Sequence, residues 1–212
     1  MKPLFAGIRK IDPDHPDASL IDEAARIIIA GGVIIFPTRT LYGMGADASK
    51  PEAVNRVFSI KKRLSTKPIS ILVDSNSAVR SQVSEIPPSA EALMEKFWPG
   101  RMTIVFRASA RVPFNLTAET GKIGIRIPEH PVAVKLVRSL NVPVTGTSAN
   151  FSGSPGCHRI LDIPPDLIQQ VDLALDAGTL NGGTGSTVVD VTTFPPTILR
   201  EGVVLRKAVF GN

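Results

Sequence analysis

The run Ile27-Ile28-Ile29-Ala30-Gly31-Gly32-Val33-Ile34-Ile35-Phe36-Pro37-Thr38-Arg39-Thr40-Leu41-Tyr42-Gly43 changes its conformational preference twice. Upstream of it, Leu20, Ala24, Ile27 and Ile28 recur at helical spacing, and Asp17 or Ser19 can cap the start of that helix. Gly31 and Gly32 stop it, because glycine takes the left-handed conformation that a helix end needs. Residues 33–36 form a short continuous apolar run and read as a buried strand. Residues 37–50, with their Pro, Gly and Thr content, read as a loop. A helix handing over to a buried strand, and the strand to a loop of small hydroxyl residues, is the unit of an α/β fold.

The same alternation continues outward. A second helix is expected from Pro51, suited to a first turn, through Arg63. Further helices are expected over 89–96, stopped by Trp98-Pro99-Gly100, and over 131–140. Strands are expected at 69–73, 102–106, 123–127, 142–145, 171–175, 187–191, 197–199 and 203–205. Helices and strands alternate early and strands dominate late. This pattern predicts a single α/β domain with a mixed twisted β-sheet and flanking helices. The polar, proline-punctuated residues 1–16 read as an N-terminal extension to a domain over 17–212.

Composition narrows the function. The chain has 212 residues, 43% of them hydrophobic, which suffices for one domain with a sizeable core. No apolar run approaches the roughly 20 residues that span a bilayer. The N-terminus lacks the pattern of a secretory signal. The only cysteine, Cys157, excludes an internal disulfide and fits a reducing cytosol. A net charge of +5 favours an anionic partner, either a nucleotide or a nucleic acid.

Several familiar chemistries are missing. There is no GxxxxGK[ST] phosphate loop, no GxGxxG fingerprint and no HExxH. His15, His130 and His158 are scattered, so no metal site is expected. Gly146-Thr147-Ser148-Ala149-Asn150 resembles a nucleophile elbow, but Asn150 stands where the final glycine belongs.

What remains is a set of groups suited to anions. Lys61 and Arg63, two residues apart at a helix end, can converge on one multivalent anion, as a point charge and a planar fork of donors. Thr145-Gly146-Thr147-Ser148-Ala149-Asn150 follows a predicted strand, where small hydroxyl residues let N–H and O–H groups approach phosphate. Pro37-Thr38-Arg39-Thr40-Leu41-Tyr42-Gly43 follows another and places the only tyrosine, Tyr42, beside Thr38 and Thr40. These could bind a small polar substrate with Tyr42 as a wall, or Tyr42 could simply pack on the core. Arg126 lies opposite Ile125 and Ile127 by alternation, and an arginine among apolar residues needs an anionic partner from the protein or a substrate. Ser186 and Arg200 complete the set; Arg200 could reach phosphate or pair with Glu201 or Asp190.

No single motif decides the function, but their order does. PTRTLYG, KKRLSTKP, FWPGRMT, GIRIPEHP, TGTSAN, GSTVVD and LREG follow one another as in the YrdC family (the YrdC/YciO/Sua-type proteins), which the chain resembles over roughly residues 20 to 205. The resemblance implies an α/β fold with a basic concave face. It implies an L-threonylcarbamoyladenylate synthase, a nucleotidyltransferase that condenses L-threonine, bicarbonate and ATP with release of pyrophosphate for tRNA modification. By position, Lys61, Arg63, Thr147, Ser148, Asn150 and Arg200 would hold the ATP phosphates, Lys61 and Arg63 as catalytic groups. Thr38, Thr40, Tyr42, Arg126 and Ser186 would surround threonine and bicarbonate. Mg2+ would arrive with ATP. The partners implied are tRNA or tRNA-modification proteins, the compartment cytoplasmic, the state monomer or homodimer. Two positions depart from the pattern: residues 69–74 hold no histidine, and Arg39 stands where the family has an acidic residue. Two other readings stay open, a double-stranded RNA-binding protein of the same fold and a carbamoyl-adenylate enzyme with another acceptor.

Overall fold

The computed structural model describes residues 7–211. Strand β1 (Ile8–Lys10) precedes helix α1 (Ala18–Ile29). Asp17 Oδ1 accepts a hydrogen bond from the Ser19 backbone N–H at 2.7 Å, which satisfies one donor of the first turn. Gly31 ends the helix at φ +87°. The buried stripe of α1 is Ile21, Ala24, Ala25 and Ile28, with Leu20 and Ile27 on its flanks.

Strand β2 (Ile34–Pro37) and strand β3 (Tyr42–Gly45) follow, then helix α2 (Pro51–Ile60), strand β4 (Ile71–Leu72), helix α3 (Asn76–Gln82), helix α4 (Pro88–Phe97) and strand β5 (Met102–Arg107). Next come helix α5 (Phe114–Thr117), strand β6 (Lys122–Arg126), helix α6 (Pro131–Arg138), strand β7 (Val144–Thr145) and strand β8 (Thr147–Ser148). The chain closes with helix α7 (Pro165–Ile168), strand β9 (Leu173–Asp176), strand β10 (Thr187–Asp190), strand β11 (Thr197–Arg200) and helix α8 (Arg206–Phe210).

Among the described residues these strands form two mixed sheets where one was expected. Five strands run in the order β1-β9-β2-β3-β8 and six in the order β11-β10-β5-β6-β4-β7. The sheets meet where β7 ends one and β8 ends the other, with only Gly146 between them. β2 is buried on both faces. Val33 and Ile35 join one hydrophobic cluster, whereas Ile34 and Phe36 join a second one with α1 and α6. That explains why its sequence is continuously apolar rather than alternating.

Three expectations need correction. Residues 42–45 are not loop; they pair antiparallel with β2, and the two glycines of Tyr-Gly-Met-Gly hide the strand signal because a Cβ at Gly45 would lie 2.7 Å from the Phe36 ring. Residues 203–205 are not a strand. Their backbone closes a turn instead, with Val203 and Val204 N–H bonded to Gly185 O and Thr187 Oγ1. Finally, Ile8–Lys10, in the stretch read as an extension, pair in parallel with β9 as the edge strand of the first sheet.

Candidate active site

A cleft of about 950 Å³ lies against the six-stranded sheet where the two sheets join. Every residue singled out above as a site candidate lines it: Lys61, Arg63, Arg126 and Arg200, with Thr38, Thr40, Tyr42, Thr147, Ser148, Asn150 and Ser186. They come from the end of α2, the β2–β3 turn, the β6 end, the β7–β8 junction and the β10–β11 pair. Five basic side chains, Lys122 among them, line this concavity against two carboxylates, Asp190 and Glu201, and this excess of positive charge favours an anionic ligand.

The end of α2 is built to aim two of these charges. The helix stops at Ile60, three residues before the expected end, because Lys62 adopts a left-handed φ of 49°. Lys62 N–H bonds Ser59 O and Arg63 N–H bonds Phe58 O, the paired closure of a helix end that usually uses glycine. A lysine there stores roughly 1–2 kcal/mol of backbone strain. The reversal sends Lys61 inward and lets Arg63 lie along the following loop, where its Nε and one terminal nitrogen donate to Lys67 O (2.9 Å) and Pro68 O (2.8 Å).

Lys61 is 1% exposed. Its ammonium donates to Ser148 O, to Asn150 O at 2.7 Å and to Asn150 Oδ1 at 3.3 Å. An ammonium has three N–H groups, so all are engaged by the 148–150 loop. Burial pulls its pKa down to about 7, and the nearby Arg63 guanidinium adds to the fall. The three oxygen acceptors act in the opposite direction and favour the charged form. Asn150 is saturated too. Its Oδ1 accepts from Ser148 Oγ and Lys61, and its Nδ2 donates to Phe151 O and Ser154 O. Lys61 and Asn150 therefore shape the loop, and the groups left facing the cleft are the Thr147 and Ser148 hydroxyl oxygens and the guanidinium groups.

Arg126 behaves differently. Among the described residues its guanidinium makes no hydrogen bond and no ion pair, although it lines the cleft. Burial pulls its pKa down to about 10, Glu129 pulls it back up, and Arg200 pushes it further down. Arg200 holds Ser186 O at 2.8 Å and is itself pulled down by burial. Ser186 Oγ shares a 2.8 Å hydrogen bond with Thr103 Oγ1. Arg126 is thus a buried cation that Glu129 reaches only at longer range and whose guanidinium donors are unengaged among the described residues, as in a receptor for a carboxylate or phosphate.

Tyr42 lines the cleft and packs on the core at once. It is fully buried, its hydroxyl donates to Gly178 O at 2.7 Å and receives the Ala177 N–H at 3.0 Å, and burial raises its pKa well above the usual value. Its hydroxyl locks β3 to the end of β9 and is not available to a substrate. The Thr38 hydroxyl is likewise engaged, by Leu41 O at 2.6 Å, in the turn between β2 and β3. Arg39 is exposed and lies outside the cleft lining, so this departure does not touch the site. Leu72 does line the cleft, in the stretch that holds no histidine.

The sequence reading missed the floor itself. Ser70, Leu72, Thr103 and Gly124 line it, as do Lys122 and Asp190, which pair at 2.9 Å. Burial disfavours the ionised Asp190, but hydrogen bonds from Lys122 and Thr192 outweigh it and hold the carboxyl below its usual range. The signal was present in Lys122-x-Gly124-x-Arg126, alternate positions of one strand. Cys157 is buried, and burial and Asp162 raise its pKa, so it is not an activated thiol.

Comparison with known proteins places the chain in a family. The Sua5/YciO/YrdC family model, described as "Telomere recombination", matches residues 26–202. A threonylcarbamoyl-AMP synthase of Pyrococcus abyssi is 36% identical over 179 residues, covering 84% of this chain and 53% of the relative. The crystal structure of P. abyssi Sua5 complexed with L-threonine superposes with a TM-score of 0.91 at 33% identity, covering 96% of this chain and 61% of that one. The uncharacterized protein YciO of Escherichia coli is 33% identical over 195 residues, covering 91% of this chain and 94% of the relative. The chain therefore spans about half the length of the curated synthases it matches first.

Proposed function

Because the chain belongs to the Sua5/YciO/YrdC family, we propose that its cleft is the active site of a threonylcarbamoyl-AMP synthase. The observation that carries this reading is Arg126, a buried cation whose guanidinium makes no hydrogen bond or ion pair among the described residues, in a cleft shared with Arg63 and Arg200. In this reading Arg126 takes the threonine carboxylate, and Thr40 and Ser186 lie around threonine and bicarbonate. Arg63 and Arg200 hold ATP phosphates with the Thr147 hydroxyl, while the Ser148 hydroxyl is held by Asn150 Oδ1. Lys61 adds its charge from behind the loop and keeps that loop in place.

The residue types suit the chemistry. The neutral amine of threonine attacks bicarbonate, or the CO₂ it yields, to give a carbamate and release water. A carbamate oxygen then attacks the α-phosphorus of ATP in line, and pyrophosphate leaves. Such transfer depends on positioning and on stabilising charge at phosphate oxygens, which guanidinium and hydroxyl donors supply. Mg2+ would enter with the triphosphate. Among the described residues no group of three His, Cys, Asp or Glu side chains could hold a metal. The cleft carboxylates are Glu201 and Asp190, the latter tied to Lys122. This donor set suits an ion held by phosphate oxygens and water rather than by a protein cage.

The product would pass to tRNA-modification proteins in the cytoplasm. No helix among the described residues is long and apolar enough to cross a membrane. The test is pyrophosphate release from ATP and bicarbonate with and without L-threonine. Threonine-dependent release that needs far more threonine in Arg126→Ala supports the proposal, and release indifferent to threonine contradicts it.

A further inference from the structure

The strand ends beside Arg126 carry a second, smaller charge cluster. β5 and β6 run antiparallel with Ile104 opposite Ile125, so the next pair outward is Thr103 and Arg126, and both line the cleft. The ladder continues past the strand end. Gly100 N–H donates to Ile127 O at 3.0 Å, and Thr187 N–H donates to Arg101 O at 3.1 Å. Arg101 is thereby fixed between the residue after Arg126 and the residue after Ser186. Two residues from Thr103, its side chain falls on the same face of the sheet, just beyond the residues that line the cleft. There its Nε lies 3.5 Å from Glu129 Oε1. Among the described residues the Glu129 carboxylate makes no other ion pair or hydrogen bond. Glu129 stands three residues after Arg126 and favours its charged form across that gap. The carboxylate is therefore within electrostatic reach of a guanidinium whose own donors are unengaged.

From this arrangement we infer that Arg101 is a positioning residue: it holds the Glu129 carboxylate at the edge of the sheet and so keeps Arg126 free for an incoming substrate. A buried guanidinium attracts a carboxylate more strongly than an exposed one does, because less water screens the pair. Released from Arg101, Glu129 closes on Arg126 and competes with any anion for its donors. The pair Arg101–Glu129 thus acts on the site through Arg126, and neither member touches the substrate. This rests on the reading of Arg126 as the anchor of a substrate carboxylate.

The decisive experiment compares Arg101→Ala, Glu129→Gln and the two combined in the full chain. Each is read by threonine-dependent pyrophosphate release and by the NMR resonance of the Arg126 Nε–H group, assigned by its absence from Arg126→Lys. Arg101→Ala is expected to raise the threonine KM about fivefold, the upper range of what an exposed ion pair contributes, with kcat and the KM for ATP unchanged. Adding Glu129→Gln is expected to restore the wild-type KM, because the amide carries no charge to compete. A wild-type KM in Arg101→Ala overturns the inference. So does a double variant as impaired as the single one, since Arg101 would then act through its own charge or through the fold. The resonance keeps this distinct from the synthase reading. A shift in Arg101→Ala that reverts in the double variant, without release by any of the proteins, would sink the synthase reading and leave the hold on Glu129 standing. Threonine-dependent release with the Arg126 resonance unmoved in Arg101→Ala would do the reverse.

Discussion

The ammonium of Lys61 lies 2.7 Å from the main-chain oxygen of Asn150 and also reaches the side-chain oxygen of the same residue. One buried cation thereby joins the end of a helix to the loop that carries Thr147 and Ser148. Ser152 N–H completes the join by donating to Lys61 O at 2.8 Å. Truncating Lys61 leaves carbonyl oxygens unpaired inside the protein. Lys61→Ala is expected to lower stability by about 2–4 kcal/mol, since orphaned buried acceptors and a lost charged hydrogen-bond donor both cost free energy. Thermal denaturation checks this; an unchanged midpoint contradicts the positioning role.

Stability should depend on pH through the same group. The folded pKa of Lys61 is depressed to about 7 against 10.5 for a free lysine. Between those values the unfolded chain binds more protons at this site than the folded one, so the contribution of Lys61 to stability rises with pH across that window. Below pH 7 both states are charged and the contribution is flat. Relative to Lys61→Met, the wild type should gain from pH 7 to pH 10 in denaturant titrations; a constant difference contradicts the shift.

Tyr42→Phe separates packing from binding. It deletes the hydroxyl that holds Gly178 O and Ala177 N–H but leaves the cleft lining otherwise intact. The expected loss is about 1–3 kcal/mol of stability with threonine affinity unchanged. Chemical denaturation together with a threonine titration reads both quantities.

Gly202→Ala should be more damaging than its half-buried position in a turn suggests. A Cβ there would lie 2.2 Å from Gly185 O, and that contact is with backbone, which cannot swing aside. The turn it would distort supports Ser186 and Arg200. A stability loss of about 2–4 kcal/mol is expected, with weakened ATP binding; wild-type values for both would contradict the account.

Much of the site was legible in the sequence because its residues stand at strand and helix ends, where small hydroxyl residues and basic pairs depart from the apolar pattern. Thr147, Ser148 and Arg126 were found in that way, and the structure brings them into one cleft. What periodicity does not report is which donors are already engaged. Lys61 and Asn150 read as ligand-binding groups, yet their hydrogen bonds are filled, those of Lys61 by a loop far away in the chain and those of Asn150 by Lys61 and by its own neighbours Ser148, Phe151 and Ser154. Strand β3 was hidden because Gly43 and Gly45 carry no side chain to alternate, their room being filled by Phe36. The floor formed by Ser70, Leu72 and Gly124 depends on register between strands, a property of pairing rather than of any one segment.

The carboxylate anchor yields a kinetic signature. Arg126→Ala removes a charge-assisted fork, so the threonine KM should rise by about a hundredfold while the affinity for ATP changes much less. Steady-state pyrophosphate release at varied threonine and at varied ATP measures both. An equal loss for both substrates would place Arg126 on the nucleotide instead.

The most direct measurement of the central claim is mass spectrometry of a rapidly quenched reaction of the protein with ATP, L-threonine and ¹³C-bicarbonate. The account predicts one adenylate that carries both threonine and a single ¹³C, formed by the wild type and strongly reduced in Arg126→Ala at threonine concentrations near the wild-type KM. Consumption of ATP without any ¹³C-labelled adenylate, or no reaction at all, would contradict it.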